Sequence, residues 1–361
     1  MLWHRTWNRL RPLLWPVAML YWGLSWWRNF FYNIGFFISR RVSIPVLSIG
    51  NLSVGGTGKT PATIFTAAHL TELGFKVGIV SRGYGRNSTG TVIISDEEKI
   101  LVHPDEAGDE PYLMASRLRG IPVLVDEDRY RGATVMINRF YPDIIILDDA
   151  FQHRGLARDC DLVLLDSSAP KSDYRIFPYG SLREHLGALK RADLVVWTRT
   201  NTQAPNPAVI QKIDRMGVPQ IYSVMESDPT LIEAVSNKQI RAENLKKKQL
   251  LAFCGIARPV NFYHSLISIG LEPDQVRYYP DHHRYTIEDL AYLSGLGKEG
   301  DLAMVTTEKD VVKLSDDFLA KNEVYALRME FRLSGDRLEI YQDLLADLLP
   351  LPRVTRTAGE A

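Results

Sequence analysis

The sequence predicts an α/β protein with a mostly parallel sheet covered by helices on both faces. Short apolar runs alternate with helical stretches from residue 41 onwards, and a glycine-rich loop joins the first run to the first helix. Buried strands that alternate with helices are typical of parallel sheets, and a glycine-rich strand-to-helix loop indicates the P-loop NTPase type. We expect three parts: an N-terminal membrane-interfacial helix in residues 1–38, a P-loop core in 39–230 and a smaller C-terminal α/β lobe in 231–361.

The amino-terminal segment carries six of the seven tryptophans, with arginines between them. The tryptophans are Trp3, Trp7, Trp15, Trp22, Trp26 and Trp27, and the arginines are Arg5, Arg9, Arg11 and Arg28. The apolar stretch 13–27 is shorter than the roughly 20 residues that a spanning helix needs, and it contains Pro16 and Gly23. Tryptophan and arginine favour the headgroup region of a bilayer. We expect a helix that lies on a membrane surface, with a core helix or a true span as the alternatives.

The body of the chain reads as alternating strands and helices. Strands are predicted at Val46–Ile49, Val77–Val80, Pro122–Val125, Ile144–Leu147, Leu162–Leu165 and Leu194–Trp197, and helices at Lys59–Leu73, Pro111–Leu118 and Arg129–Phe140. An inserted hairpin is predicted at 91–95 and 100–103. A second α/β series begins at Leu250–Cys254, so we place a domain boundary somewhere in 225–248.

Charge and cysteine content argue against a nucleic-acid binder and against a disulfide framework or zinc motif. Lysine plus arginine and aspartate plus glutamate both number 43, and this balance argues against a dedicated nucleic-acid binder. The two cysteines, Cys160 and Cys254, form no C-x-x-C pair, so neither a disulfide framework nor a zinc motif is predicted. Buried thiols in a reducing compartment are the expectation.

The strongest motif is the phosphate-binding loop between the first strand and the first helix. It reads Gly-Asn-Leu-Ser-Val-Gly-Gly-Thr-Gly-Lys-Thr-Pro over 50–61, with Ser53 where the common pattern has its first glycine. Backbone N–H groups and the helix amino terminus would surround phosphate oxygens. The predicted nucleotide-binding residues are Ser53, Val54, Gly55, Gly56, Thr57, Gly58, Lys59 and Thr60.

A magnesium site is predicted beside this loop. The apolar strand 143–147 ends in Asp148 and Asp149, and the carboxyl end of a parallel strand lies next to the P-loop. Mg²⁺ prefers oxygen ligands, so Thr60 and Asp148 are the expected ligands and Asp149 is a further candidate. The alternative for these aspartates is the capping of a turn.

Six further polar clusters narrow the function. They are 81–86 (SRGYGR), 108–111 (GDEP), 148–154 (DDAFQHR), 182–186 (LREHL), 280–283 (PDHH) and 307–310 (TEKD). With the loop and the aromatic amino terminus, they closely resemble the tetraacyldisaccharide 4'-kinase family over nearly the whole chain, to about residue 310. The resemblance implies that ATP and Mg²⁺ serve transfer of the γ-phosphate to the 4'-hydroxyl of a tetraacylated glucosamine disaccharide 1-phosphate. The implied location is the cytoplasmic face of the bacterial inner membrane, peripheral or N-terminally anchored.

The same resemblance implies roles for individual residues. Asp109 resembles the catalytic carboxylate and His282 its imidazole partner, with His283 as the alternative, and Lys59 completes the catalytic set. His153, Arg183 and Glu184 resemble residues around the lipid headgroup. Further candidates for substrate binding are Arg82, Tyr84 and Arg129, because arginine suits the 1-phosphate; a surface ion pair is the alternative for each arginine. Thr307, Glu308 and Asp310 receive no specific role; ordering of the nucleotide side and joining of the two lobes are the alternatives.

Three other functions fit parts of the pattern. A membrane-associated regulatory P-loop ATPase would carry a lysine before the glycine pair, where this chain has Val54. A GTPase would want Asn-Lys-x-Asp after a late strand, where this chain has Thr-Arg-Thr-Asn at 198–201. A non-catalytic lipid-binding scaffold would need neither Lys59 nor Asp148. The lipid A precursor and a membrane surface are the expected partners; no nucleic acid is expected and no protein partner is inferred.

Overall fold

The computed structural model describes residues 11–349 and contains one sheet of thirteen strands. In chain order the strands are β1 Val46–Asn51, β2 Val77–Ser81, β3 Val92–Ser95, β4 Val123–Val125, β5 Ile144–Asp148, β6 Cys160–Asp166, β7 Leu194–Thr198, β8 Gln220–Glu233, β9 Gln239–Arg241, β10 Gln249–Cys254, β11 Gln275–Tyr278, β12 Leu302–Thr307 and β13 Val324–Leu333. Their order across the sheet is β11-β10-β12-β13-β8-β7-β6-β1-β5-β2-β4-β3, and β9 pairs with β8. The predicted α/β class is confirmed.

The α-helices lie on both sides of this sheet. They are α1 Trp15–Asn33, α2 Lys59–Glu72, α3 Pro104–Ala107, α4 Asp109–Arg117, α5 Arg129–Phe140, α6 Pro207–Asp214, α7 Pro259–Ser268, α8 Ile287–Glu299, α9 Glu308–Val311, α10 Asp316–Lys321 and α11 Leu338–Leu348. Successive residues of β1 face opposite layers: Leu47 packs in a core that includes α2 and α11, and Val46 in one that includes α5. Both faces of the strand are buried, and most of its residues are apolar, with Ser48 and Asn51 as the polar exceptions.

Most neighbouring strands are parallel, and this places the carboxyl ends of β1, β2, β5, β6 and β7 at one edge. Among the described residues three pairs are antiparallel: β3 with β4, β8 with β9, and β8 with β13. The predicted inserted hairpin is shorter than expected. Ser95 and Ile100 form an isolated antiparallel bridge, and the Leu101 N–H donates to the Ile94 carbonyl at 2.7 Å, but 100–103 is not a regular strand and α3 starts at Pro104.

β8 runs through the predicted domain boundary. Its first residues pair in parallel with β7, and Ser223–Glu233 pairs antiparallel with β13. The chain also returns at its end, because Tyr341 of α11 is buried in the core around α2 and its hydroxyl donates to Thr66 Oγ1 at 3.0 Å. The two halves therefore share a sheet and a core, and the division at residue 230 stays a prediction.

α1 lies beside the sheet with much of its apolar surface exposed. Ala18 is its buried residue, whereas Trp15, Trp22, Trp26, Trp27 and Phe30 are all substantially exposed. Its aromatic rings contact one another, as in the stacked pair Trp26 and Phe30. Within residues 11–349, no helix has the length and apolar character needed to cross a bilayer. The predicted interfacial residues Trp3, Arg5, Trp7 and Arg9 lie outside the described part of the chain.

Candidate active site

The glycine-rich loop lies at the carboxyl end of β1 and is held in place by its neighbours. Asn51 Nδ2 donates to Thr57 Oγ1 at 2.8 Å, and Thr198 Oγ1 donates to the Thr57 carbonyl at 3.0 Å. Gly55 and Gly58 have φ values of 106° and 89°, a region that favours glycine. Ser53 instead forms an antiparallel bridge with Leu182, so its position does not require glycine. The loop is thus ordered around the amino terminus of α2, where phosphate groups bind well.

Lys59 is the first residue of α2 and is almost completely buried. Its Nζ lies 3.6 Å from Asp149 Oδ1, and Arg183 Nη1 donates to both carboxylate oxygens of Asp149, at 3.0 and 3.1 Å. Burial alone would raise the pKa of Asp149, but the charges of Lys59 and Arg183 outweigh it and hold the pKa below its usual range. Asp149 therefore faces two cations at the edge of the loop.

Asp148 ends β5 and is buried next to the loop. Its carboxylate accepts hydrogen bonds from Thr63 Oγ1 at 3.3 Å and from Ser81 Oγ at 3.0 Å. Burial, and then the negative charges of Glu110 and Asp149, raise its pKa to about 7. A hard cation with oxygen ligands would relieve this buried negative charge, so Asp148 and the buried Thr60 fit the requirements of Mg²⁺.

The structure brings Asp109 and His282 together, although they are far apart in the sequence. Asp109 begins α4, and its Oδ2 lies 3.2 Å from His282 Nδ1. His283 points elsewhere: its Nε2 lies 2.8 Å from Asp289 Oδ2, and its ring stacks on Tyr279. Of the two predicted alternatives, His282 is the histidine that contacts Asp109.

The charges around Asp109 favour its ionised form. Burial raises the pKa of this carboxyl group, but the His282 hydrogen bond and the charges of Lys313 and Lys309 lower it further than burial raises it. The net pKa lies below the usual value, so Asp109 is a carboxylate at neutral pH and is able to accept a proton.

Of the predicted substrate-binding residues, Tyr84 contacts this pair. The Tyr84 ring is exposed and meets the His282 ring edge-on at 5.4 Å between centroids, and Arg82 is also exposed. Burial, and then the nearby charge of Arg129, lower the pKa of His153 to about 4, so its imidazole is neutral at neutral pH. Binding of the substrate by these side chains stays a prediction.

Arg129 has a different environment from the other predicted arginines. Its side chain is only 2% exposed, and Nη1 donates to the Asp126 carbonyl at 2.8 Å. Burial lowers the pKa of Arg129 to about 10, although the negative charges of Asp148 and Asp149 act to raise it. Its charge therefore acts beside the two aspartates, and a direct contact with substrate stays a prediction.

Glu184 connects α1 to the body of the protein. Its carboxylate accepts hydrogen bonds from Arg28 Nη2 at 2.8 Å, Asn29 Nδ2 at 3.0 Å and Arg191 Nη2 at 2.8 Å. The Glu184 side chain is only 2% exposed. Its hydrogen bonds hold two residues of α1 to the loop that also carries Arg183. In this structure Glu184 positions α1; a role at the lipid headgroup stays a prediction.

We expect Glu184→Gln to lower the free energy of unfolding by about 2 kcal/mol, because the amide cannot neutralise Arg28 and Arg191 in a buried setting. Urea denaturation monitored by tryptophan fluorescence measures the change. Glu339→Gln, at the start of α11, is the matched control because that side chain is exposed. Equal stability of Glu184→Gln and the parent protein would contradict the role in holding α1.

The TEKD cluster, to which no specific role is assigned above, joins the two halves of the sheet. Glu308 accepts from Arg328 Nε at 3.0 Å and lies 3.6 Å from Arg117 of α4. Asp310 accepts the Gly255 N–H, and Lys309 Nζ lies 3.1 Å from Glu110 Oε1. The motif was visible in the sequence, but its partners are distant along the chain.

Sequence reasoning missed one network beside the loop. Asp166 Oδ2 accepts from Arg199 Nη1 and Arg258 Nη1, each at 2.7 Å, and Arg199 Nη1 also donates to the Gly56 carbonyl at 3.1 Å. Arg258 immediately precedes α7, so the network connects the P-loop to the C-terminal half. No local motif marks these three residues.

Comparisons with known proteins agree with one another. The family model described as tetraacyldisaccharide-1-P 4'-kinase matches residues 10–348. A tetraacyldisaccharide 4'-kinase from Desulfotalea psychrophila is 36% identical over 89% of this chain and 93% of its own length. One from Chlorobium limicola is 36% identical over 95% of this chain and 98% of its own. The crystal structure of LpxK from Aquifex aeolicus in complex with ATP has a TM-score of 0.79 at 33% identity, covering 94% of this chain and 99% of that chain.

Proposed function

The chain belongs to the tetraacyldisaccharide-1-P 4'-kinase family, and from this premise we propose how its own residues carry out the reaction. The protein is an ATP-dependent kinase of lipid A biosynthesis, which phosphorylates the 4'-hydroxyl of a tetraacyldisaccharide 1-phosphate. One observation supports the division of roles: Glu110, which follows Asp109 in α4, is close enough to Lys59 and Asp148 for their charges to affect one another. The acceptor side and the nucleotide side therefore meet at α4.

On the nucleotide side, residues 53–60 bind the phosphates of ATP through their backbone N–H groups. Lys59 neutralises charge on the β- and γ-phosphates, and its partner Asp149 keeps the ammonium close to the loop. Thr60 and Asp148 would hold Mg²⁺, with Asp149 as a further ligand, and this ion would neutralise charge on the phosphate oxygens. Arg183 orients Asp149 through its two hydrogen bonds.

On the acceptor side, Asp109 accepts the proton of the 4'-hydroxyl while the oxygen attacks the γ-phosphorus. The new O–P bond forms as the bond between that phosphorus and the β,γ-bridging oxygen breaks, and ADP leaves. His282 orients the Asp109 carboxylate through the 3.2 Å contact. Arg82, Tyr84, Arg129, His153, Arg183 and Glu184 are the proposed surroundings of the disaccharide and its 1-phosphate.

We propose that residues 39–230 and 231–361 act as two lobes that close on the substrates. Their interface passes through the site, since Lys309 contacts Glu110 and Arg258 contacts Asp166. Closure would exclude water and limit ATP hydrolysis without acceptor. Equal rates of ATP hydrolysis with and without the lipid acceptor would contradict this proposal.

Phosphate transfer to lipid tests the function. The full chain is incubated with γ-labelled ATP, MgCl₂ and a tetraacyldisaccharide 1-phosphate in mixed micelles, and thin-layer chromatography separates the lipid from free phosphate. We expect label in the lipid, and its loss when EDTA replaces MgCl₂. Release of free phosphate alone would contradict the kinase and favour the regulatory P-loop ATPase.

The exposed aromatic side of α1 supports attachment to a membrane surface. Tryptophan and phenylalanine side chains on an amphipathic helix enter the headgroup region of a bilayer, and the acceptor is a lipid. We therefore propose that the enzyme works at the cytoplasmic face of the bacterial inner membrane, held peripherally through residues 1–38, which contain α1.

Replacing Trp26 and Trp27 by alanine should weaken binding to anionic vesicles by about tenfold, because both indoles leave the interface. These side chains are 52% and 59% exposed, so folding should be preserved. Co-sedimentation with phosphatidylglycerol-containing vesicles measures the partition coefficient. Ile287→Ala is the matched control, since Ile287 is 84% exposed on α8. Unchanged partitioning of the double variant would count against α1 as the attachment site.

A further inference from the structure

The ammonium group of Lys309 lies against the imidazole of His282, a contact that has no role in the reaction described above. Lys309 Nζ is 3.1 Å from His282 Nε2, 3.1 Å from Glu110 Oε1 and 3.8 Å from Asp281 Oδ1. Its backbone is fixed at the start of α9, where the Asp310 N–H donates to Thr307 Oγ1 at 3.1 Å. The lysine is therefore held at one nitrogen of the ring, and Asp109 is held at the other.

The protonation state of Lys309 decides the direction of this hydrogen bond. Burial lowers its pKa, but the negative charges of Glu110 and Asp281 raise it more, and the net pKa lies above the usual value. An ammonium group carries three N–H donors and has no acceptor. Nε2 of His282 must therefore accept the hydrogen bond and carry a lone pair.

A neutral imidazole carries its single N–H on the nitrogen that is not the acceptor. In His282 this nitrogen is Nδ1, which lies 3.2 Å from Asp109 Oδ2. The three side chains then form a chain of donors in one direction, from Lys309 through His282 to Asp109.

We propose that Lys309 is a positioning residue that fixes His282 as its Nδ1–H tautomer, so that His282 donates to Asp109 and Asp109 alone receives the proton of the sugar hydroxyl. The inference deepens the proposed function and rests on the role given there to Asp109. Asp109 Oδ2 accepts the hydrogen bond from His282 Nδ1–H, so Oδ1 is the oxygen available to the sugar hydroxyl. After transfer the proton is on Asp109, His282 keeps its own proton, and the electron pair of the broken P–O bond leaves with ADP.

The two other states of His282 conflict with the same distances. In the Nε2–H tautomer, an N–H would point at the Lys309 ammonium 3.1 Å away, and the Nδ1 lone pair would face a carboxylate oxygen at 3.2 Å. An imidazolium would keep the Asp109 contact but would place two cations in direct contact at Nε2. Only the Nδ1–H tautomer satisfies both neighbours.

The position of Lys309 also explains why residues 307–310 belong to the active site. Asp109 comes from α4 in the first half of the chain, whereas His282 follows β11 and Lys309 is the second residue of α9 in the second half. Packing of the two halves therefore brings Lys309, His282 and Asp109 into hydrogen-bonding contact. Lys313, whose Nζ lies 4.0 Å from Asp109 Oδ2, contributes charge to the carboxylate, and its ammonium group pairs with Asp310 Oδ1 at 2.6 Å.

Nitrogen-15 NMR of the histidine side chains tests the tautomer without substrate. Long-range proton–nitrogen spectra of the full chain, with ¹⁵N-labelled histidine, distinguish a protonated from an unprotonated ring nitrogen, and loss of one spin system in His282→Gln assigns the signals. We expect an unprotonated Nε2 and a protonated Nδ1 in the parent protein. A protonated Nε2 would overturn the proposal, and this result depends on no variant of Lys309.

Substitution of Lys309 tests whether this lysine fixes the tautomer of His282. In Lys309→Met we expect the Nε2–H tautomer to appear and kcat to fall about tenfold at unchanged KM for ATP, below the roughly 10²–10⁴-fold that a general base contributes. Lys309→Arg should restore the Nδ1–H tautomer and most of kcat. Lys313→Met, which removes a cation near Asp109, is the charge control and should leave the tautomer unchanged.

The outcomes separate this proposal from the proposed function. An unchanged tautomer in Lys309→Met, or an equal shift in Lys313→Met, would overturn the role of Lys309 even where the parent protein phosphorylates lipid. A parent protein with the Nδ1–H tautomer but no transfer of label to lipid would refute the proposed function alone.

Discussion

Lys59→Ala should lower the rate of phosphate transfer by about 10³-fold, because a preorganised cation at the transferred phosphoryl group is worth several kcal/mol. The buried ammonium lies 3.6 Å from Asp149 and begins the helix that receives the phosphates. Alanine leaves the loop backbone in place but removes the charge that offsets both the phosphates and the neighbouring carboxylates. Transfer of label from γ-labelled ATP to lipid measures the loss.

The control for this variant is Lys76→Ala, because Lys76 is an exposed lysine just before β2 and outside the loop. It should retain the parent rate. Circular dichroism melting curves of both variants establish that they are folded. A Lys59→Ala enzyme that is folded and retains a tenth or more of the parent activity would remove Lys59 from the catalytic set.

Asp109→Ala should lower kcat by roughly 10²–10⁴-fold, the usual contribution of a positioned general base. Nucleotide binding should remain, because Asp109 lies on α4 and is not part of the loop that holds the phosphates. Rapid-quench measurement of lipid phosphorylation gives kcat, and titration with a fluorescent ATP analogue gives the affinity. The two readouts together distinguish a lost proton acceptor from a lost nucleotide site.

Asp105→Ala offers a matched comparison on the preceding short helix, α3, where the carboxylate is exposed. It should behave as the parent protein in both measurements. Parent-like turnover by Asp109→Ala would show that another group receives the hydroxyl proton, and loss of nucleotide affinity would show that Asp109 acts on the other substrate.

Much of the fold follows from local sequence patterns. Residues 144–147 of β5 and 194–197 of β7 are continuously apolar because both faces of the sheet are covered, and α5 occupies the predicted residues 129–140. The Asp-Pro pair at 228–229 instead suggests a turn, yet β8 continues through it. Its partner β13 has an irregularity between Leu327 and Met329, opposite this pair, so the missing N–H of Pro229 interrupts no regular ladder.

The site is predictable to the extent that its residues lie in one segment. Residues 53–60 and Asp148 follow from the order of strand, loop and helix, whereas the pairing of Asp109 with His282 came from family resemblance. The contacts of Lys309 with His282 and of Glu184 with Arg28 depend on packing between segments more than 25 residues apart. Sequence periodicity describes neighbours along one helix or strand, so it carries no information about such contacts.

Arg183 and Glu184 are consecutive residues, yet one binds Asp149 and the other binds Arg28 and Asn29 of α1. A single peptide bond therefore joins the residue that holds Asp149 to the residue that holds the aromatic helix. In the proposed membrane-bound state, this rigid link sets the height of the phosphate chemistry above the bilayer. The enzyme would then select acceptors by the distance between their hydroxyl group and the acyl chains.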